Sequence, residues 1–108
     1  MIEVEHKGYI IRIGTNQDEN DILVKTSNSN DYWAHADGYP SAHAIICNPT
    51  EKRVSAKIVK RACCIIKSNC NKLKTIQNLP FNYTRLKNVT PTDVPGKVIL
   101  GDYSSLTI

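Results

Sequence analysis

The chain has 108 residues, 41% of them hydrophobic and 22% charged, enough apolar side chain for one modest core and too few residues for a second domain. No apolar run approaches the roughly 18 residues of a membrane span, and the acidic start Met1-Ile2-Glu3-Val4-Glu5 is the opposite of a secretory leader. A single cytoplasmic domain over residues 1–108, with no membrane partner, is therefore expected.

The first strand signal is Gly8-Tyr9-Ile10-Ile11-Arg12-Ile13-Gly14, which alternates around β-branched residues between two glycines. Thr15 to Asp21 is rich in Asn and Asp and reads as a polar loop, and Ile22-Leu23-Val24 reads as a short apolar return. After a second polar stretch, Thr26 to Asp31, two strands are predicted at Tyr32 to Ala36 and Ala42 to Cys47, joined by Asp37-Gly38-Tyr39-Pro40-Ser41. From about Pro49 to Cys70 the apolar period changes to 3.6. Val54, Ile58, Val59, Ala62, Cys63, Ile66 and Cys70 fall on one helical stripe. Asn48-Pro49-Thr50-Glu51 offers one start for this helix, and Ser55 offers a later one. Phe81 to Leu86 and Lys97 to Leu100 are further strands, with Ser105 to Ile108 a sixth, and Pro91, Pro95 and Gly96 break the chain between them. The consistent architecture is α+β: a mainly antiparallel sheet packed against one long amphipathic helix.

Four cysteines, Cys47, Cys63, Cys64 and Cys70, show no C-x-x-C spacing, so a zinc ribbon or dithiol redox site is not indicated. Core packing is the expected role for the three that lie on the helical stretch or at its end.

The central turn carries more chemistry. A five-residue loop pairs Ala36 with Ala42, which sets His35 opposite His43 and Trp33 opposite Ile45 on one side of the sheet. Asp37 shares that parity. Two imidazoles and a carboxylate admit a metal site, a general acid–base pair acting on a phosphodiester, or a structural brace for the turn. No further Asp, Glu or His completes a ligand spacing, and there is no phosphate loop or nucleophile elbow, so the brace is favoured over a metal-dependent hydrolase centred on His35, Asp37 and His43. Trp33 is expected to fill the core rather than stack on a base.

Charge is the second functional signal. The formal net charge of +4 divides unevenly: residues 1–49 carry −4, residues 50–87 carry +9, and the remainder carries −1. Such a segment is a footprint for phosphate, because Lys and Arg that displace counterions supply affinity without reading sequence. Lys57, Lys60, Arg61 and Lys67 on the helix, extended by Lys72, Lys74, Arg85 and Lys87, are the candidate phosphate contacts.

Three blocks of sequence stand in the order and spacing of a known domain. They are Ile13-Gly14-Thr15-Asn16 through Asn20-Asp21-Ile22-Leu23; Asp31-Tyr32-Trp33-Ala34-His35-Ala36-Asp37 through Ser41-Ala42-His43; and Asn82-Tyr83-Thr84 through Lys87-Asn88-Val89 with Pro95-Gly96-Lys97-Val98. Over about residues 8–108 the chain resembles the NFACT-R domain, the RNA-binding module of ribosome quality-control factors, and is most similar to its stand-alone, single-domain members. Thr15 stands where the family usually has Arg, and Ala34 where an aromatic is common. The resemblance implies a non-enzymatic domain without cofactor that binds structured RNA, either tRNA or rRNA of the large ribosomal subunit, with DNA the alternative ligand. It also implies that Trp33, His35, Asp37, Ser41 and His43 form a signature turn. A third class of function, docking of a protein partner along an exposed sheet edge, is set against these.

Overall fold

The computed structural model describes all residues, Met1 to Ile108. Strand β1 (Ile2–His6) turns through Lys7 and Gly8 into β2 (Tyr9–Ile13), with Ile2 opposite Ile13 and His6 opposite Tyr9. Helix α1 (Gln17–Thr26) follows, then β3 (Tyr32–Ala36), β4 (Ala44–Ile46), helix α2 (Ala56–Ser68) and β5 (Pro80–Arg85). A 3-10 turn at Leu86–Asn88 leads to a small hairpin of β6 (Val89–Pro91) and β7 (Val98–Leu100), and β8 (Ser104–Thr107) closes the chain. The main sheet has the order β1-β2-β4-β3-β5-β8, every neighbouring pair antiparallel. No helix is long and apolar enough to cross a membrane.

The layering follows from the connections. β2 and β3 are both antiparallel to β4, so they are parallel to each other and α1 is the crossover between them. By the same reasoning β4 and β5 flank β3 and are joined through α2. Both crossovers step two places in the same direction along the sheet, but they start from strands that run oppositely. Crossovers of one hand must then leave their helices on opposite faces. The core is divided accordingly. On one face Ile11, Ile13, Ala34, Ala44 and Ile46 pack under Ile58, Val59, Ala62, Cys63 and Ile66 of α2. On the other, Trp33 and Ile45 pack with Leu23 and Val24 of α1 and with Leu86 and Val89.

The fold is thus α+β and mainly antiparallel, as expected, but two helices sandwich the sheet instead of one long helix lying on it. Residues 17–26, expected as a loop and a short return, are helical because of how their start is capped. The Asn16 side-chain oxygen accepts from the Glu19 amide at 2.9 Å, and Glu19 reaches back to accept from the Thr15 amide, also at 2.9 Å. Asp18 and Glu19 sit in the first turn, and Lys25 in the last turn pairs with Asp21. Only Leu23 and Val24 supply a buried apolar face, so helical periodicity was barely written in the residues.

Helix α2 takes the later of the two starts. Residues 49–55 stay irregular because Asn48 ties them back, its side-chain NH₂ donating to the carbonyls of Lys52 and Asn30. At the far end the Asn69 side chain donates to the Ile65 carbonyl and closes the helix. Strand β1 is an addition, an alternation of half-buried Ile2 and Val4 with exposed Glu3 and Glu5. The β3–β4 register is the expected one, with Trp33 opposite Ile45 and Ala34 opposite Ala44.

Gly14 joins β2 to the α1 cap at a point of close approach. A Cβ there would run into the side-chain oxygen of Asn20 and lie 3.0 Å from its backbone nitrogen. Gly14→Ala is expected to cost about 1–3 kcal/mol through this overpacking, read as a lowered urea midpoint with an unchanged m-value.

Candidate nucleic-acid interface

The β3–β4 register brings Trp33, His35 and His43 together on the α1 side of the sheet. The Trp33 Nε1–H donates to His43 Nδ1 at 3.2 Å. An indole nitrogen can only donate, so Nδ1 is unprotonated and the neutral His43 ring carries its proton on Nε2. His43 is 3% exposed, and this burial, with the neighbouring His35, holds its pKa down at about 3. His35 stacks on Trp33 at 5.8 Å between centroids and meets His43 edge-on at 4.8 Å. Burial lowers the His35 pKa as well, opposed by the Ala36 carbonyl, the charge of Asp37 and the Ser41 carbonyl.

The same residues knit the turn to its surroundings. Ser41 accepts from the Ala36 amide at 3.3 Å and donates to the Ala42 carbonyl at 3.1 Å. The His43 amide donates to the Asn20 side chain at 3.0 Å, and the Gly14 amide donates to the His43 carbonyl at 3.0 Å. Strand β2, helix α1 and the hairpin are locked together through His43. The structural brace is the reading this geometry supports. Asp37, expected to join the histidines, is exposed and acts on His35 through its charge alone, and no three His, Cys, Asp or Glu side chains converge on a metal position. Trp33, at 2% exposure, belongs to the core and is closed to stacking bases. The cysteines are free thiols; Cys63 is fully buried in the α2 core, with its pKa pushed up to about 12.

The bases lie elsewhere. Lys57, Lys60 and Arg61 are exposed on α2, and Lys72 and Lys74 are exposed in the turns that follow it. Lys67 differs: it is half-buried, and its ammonium donates to the Ile108 carbonyl at 2.9 Å. The three ion pairs of the molecule all involve residues 1–25: the Met1 ammonium with Glu19, Arg12 with Glu3, and Lys25 with Asp21. No base of the +9 segment pairs with an Asp or Glu side chain.

At the N-terminal end of α2 the bases meet aromatic side chains. A groove of about 350 Å³ is bounded by Arg53, Arg85 and Lys87, with Tyr32, Tyr83 and Tyr103 between them. Arg85 is held in place, donating to the Asn30 side chain at 2.9 Å and the Glu51 carbonyl at 3.0 Å, with its guanidinium carbon 5.4 Å from the centre of the Tyr32 ring. Lys87 is exposed, and Tyr103 is 55% exposed. Thr84 fixes the loop that carries Tyr103 by donating to the Asp102 carbonyl at 2.7 Å. Arg85 and Lys87 are among the phosphate contacts expected from the sequence, whereas Arg53, Tyr83 and Tyr103 are additions that the fold supplies. The available signal was the alternation of tyrosine and base at Tyr83-Thr84-Arg85. Arg53 sits before the helical stripe, and only the folding back of residues 49–55 brings it beside β5.

The solved structure of the C-terminal region of the fibronectin/fibrinogen-binding protein from Streptococcus suis superimposes with a TM-score of 0.84 at 20% identity. The match covers 98% of this chain and 43% of that one, so the chain spans less than half the length of that relative. No curated protein matches the sequence. The profile of the NFACT protein RNA binding domain matches residues 1–102, and the chain belongs to that family.

Proposed function

We propose that this domain grips RNA through phosphate contacts, with the Arg53–Arg85–Lys87 groove and the exposed face of α2 forming one continuous track. Family membership supports RNA as the partner. The observation that carries the surface is the absence of Asp or Glu partners for the bases between residues 50 and 87, the ion pairs of the molecule all lying within residues 1–25. Lys57, Lys60, Arg61, Lys72, Lys74 and Lys87 are free to replace counterions, and Tyr83 and Tyr103 offer rings for unpaired bases. Arg85 orients the groove while it contacts phosphate, and Lys67, already bonded to Ile108, sits at the far end of the track. The domain acts by binding, without catalysis or cofactor. Its target is structured RNA, tRNA or large-subunit rRNA, met in the cytoplasm during translation or ribosome quality control.

The test is a salt titration of binding to tRNA and to rRNA fragments, with duplex DNA as competitor. Affinity is expected to fall steeply between about 50 and 200 mM salt, as displacement of several counterions requires. A flat profile removes the phosphate track, and preference for duplex DNA over RNA transfers the same surface to DNA.

A further inference from the structure

A second concave site lies on the opposite face of the sheet from α2, between the start of α1 and the loop of residues 94–97. It encloses about 590 Å³, within the roughly 300–1,000 Å³ of small-ligand sites. Gly96, at φ +80°, lets this loop close on α1, since a Cβ there would lie 3.3 Å from the Cβ and carbonyl oxygen of Gln17. The lining includes no carboxylate, and Lys97 is its one charged side chain.

The floor of this cleft is built from buried donors. His43 is 3% exposed and Asn20 6% exposed. Trp33 occupies His43 Nδ1, and the His43 amide occupies the Asn20 side-chain oxygen. The remaining polar atoms, His43 Nε2–H and the Asn20 side-chain NH₂, donate to no protein group. Neither is sealed away, because every buried polar side-chain atom in the molecule has a partner. Both residues line the cleft, and His43 also lines the adjoining hollow beside Trp33 and Asp37. The first turn of α1 adds the Gln17 amide, unpaired at the positive end of the helix dipole. The acids of that turn are turned aside: neither Asp18 nor Glu19 lines the cleft, and the Glu19 carboxylate is bonded to the Thr15 amide and hydroxyl and to the Met1 ammonium.

We propose that this cleft binds the phosphate of a single nucleotide, with His43 Nε2–H and the Asn20 NH₂ donating from the floor, the Gln17 amide from one wall and Lys97 from the rim. Donors that find no protein partner, on residues otherwise buried and opening to solvent, suit an acceptor-rich guest, and a volume larger than one phosphate needs leaves room for its nucleoside. The site is separate from the basic groove and stands whether or not that groove binds RNA. The phosphate has two sources, a free mononucleotide or the terminal phosphate of an RNA strand.

The experiment is an NMR titration of the ¹⁵N-labelled chain with inorganic phosphate, AMP, and short RNAs carrying either a 5′-phosphate or a 5′-hydroxyl. AMP is expected to shift the Gln17 amide, the Asn20 side-chain NH₂ and His43 Nε2–H. Lys97→Ala and Gln17→Glu, both at exposed positions, are each expected to weaken AMP binding by about fivefold or more while leaving thermal stability unchanged. Lys87→Glu in the basic groove leaves AMP binding as it was. RNA with a 5′-phosphate binding more tightly than its hydroxyl counterpart assigns the site to RNA ends, and AMP binding without that preference assigns it to free nucleotides. The proposal is overturned if neither phosphate nor AMP nor phosphorylated RNA moves these resonances, or if both cleft variants bind AMP like the parent.

Discussion

Between pH 6.5 and about 4.5 the domain is expected to lose stability with a slope that steepens from roughly 0.7 toward roughly 1.4 kcal/mol per pH unit for His43 alone. In the unfolded chain this imidazole titrates near 6.5, whereas in the fold burial and the neighbouring His35 keep it neutral down to about 3. As pH falls through that interval the proton excess of the unfolded state over the folded state rises from about one half to nearly one. Stability therefore falls as pH falls, and the loss is complete only below the folded value. His35, also lowered by burial, adds to the slope in the same direction. The Glu19 carboxylate, held at about 2 by the Thr15 hydroxyl and amide and the Met1 ammonium, contributes its own acid lability, but only below its unfolded value of 4.5. The upper window thus isolates the histidines. Urea unfolding at pH 7, 6 and 5 measures the slope. His43→Gln, whose amide can still accept from the Trp33 indole, is expected to flatten it by close to one proton between pH 6 and 5 and by about half a proton between pH 7 and 6. A variant as steep as the parent in this window would show that His43 is not the buried titrating group.

That His43 occupies this position was legible before the fold was known, and the reason is geometric. A five-residue loop fixes the register of a hairpin, and register fixes which side chains face one another, so Trp33, His35 and His43 could be placed on one side of the sheet from spacing alone. Spacing carries no information about which partner each ring takes. The Trp33 donor that sets the His43 tautomer depends on rotamers, and the link from His43 to Asn20 spans 23 residues through a helix that the apolar pattern hardly records. Helix α2 was legible through its continuous stripe. Helix α1 was not, because its stability comes from the Asn16–Glu19 cap, the Lys25–Asp21 pair and two buried residues. Missing α1 also hid the covering of the second face, and with it the cleft at residues 94–97. The basic groove was half legible for a related reason. Charge counting finds bases wherever they are, but Arg53, Tyr83 and Tyr103 come from three segments that only the sheet order β3-β5-β8 and the folded-back loop before α2 bring into one place.

Reversing Lys57, Lys60 and Arg61 together to Glu is expected to weaken RNA binding by roughly a hundredfold or more near 0.1 M salt and to lower the salt slope by about three units. Each of these side chains is exposed on α2 and makes no ion pair, so no folded-state contact is lost with the charge. The formal net charge passes from +4 to −2, which also removes the long-range attraction that speeds encounter with a polyanion. Unfolding midpoints should stay close to the parent, since substitutions on an exposed helix face seldom exceed about 0.5 kcal/mol. Two single variants give the contrast that separates a contact surface from a general charge effect. Lys87→Ala, at an exposed and unpaired base of the groove, should lower the slope by about one unit with stability unaltered. Arg85→Ala should lower both affinity and stability, because its guanidinium bonds to Asn30 and Glu51 and lies over Tyr32. Lys67→Ala loses the bond to Ile108 and is expected to affect stability more than binding. If the triple reversal binds RNA like the parent while Lys87→Ala weakens it, the ligand runs through the tyrosine-lined groove alone and leaves the helix untouched. If none of these variants changes the salt slope, the unpaired bases between residues 50 and 87 are a solvated face, and the RNA surface of this domain lies on the other side of the sheet.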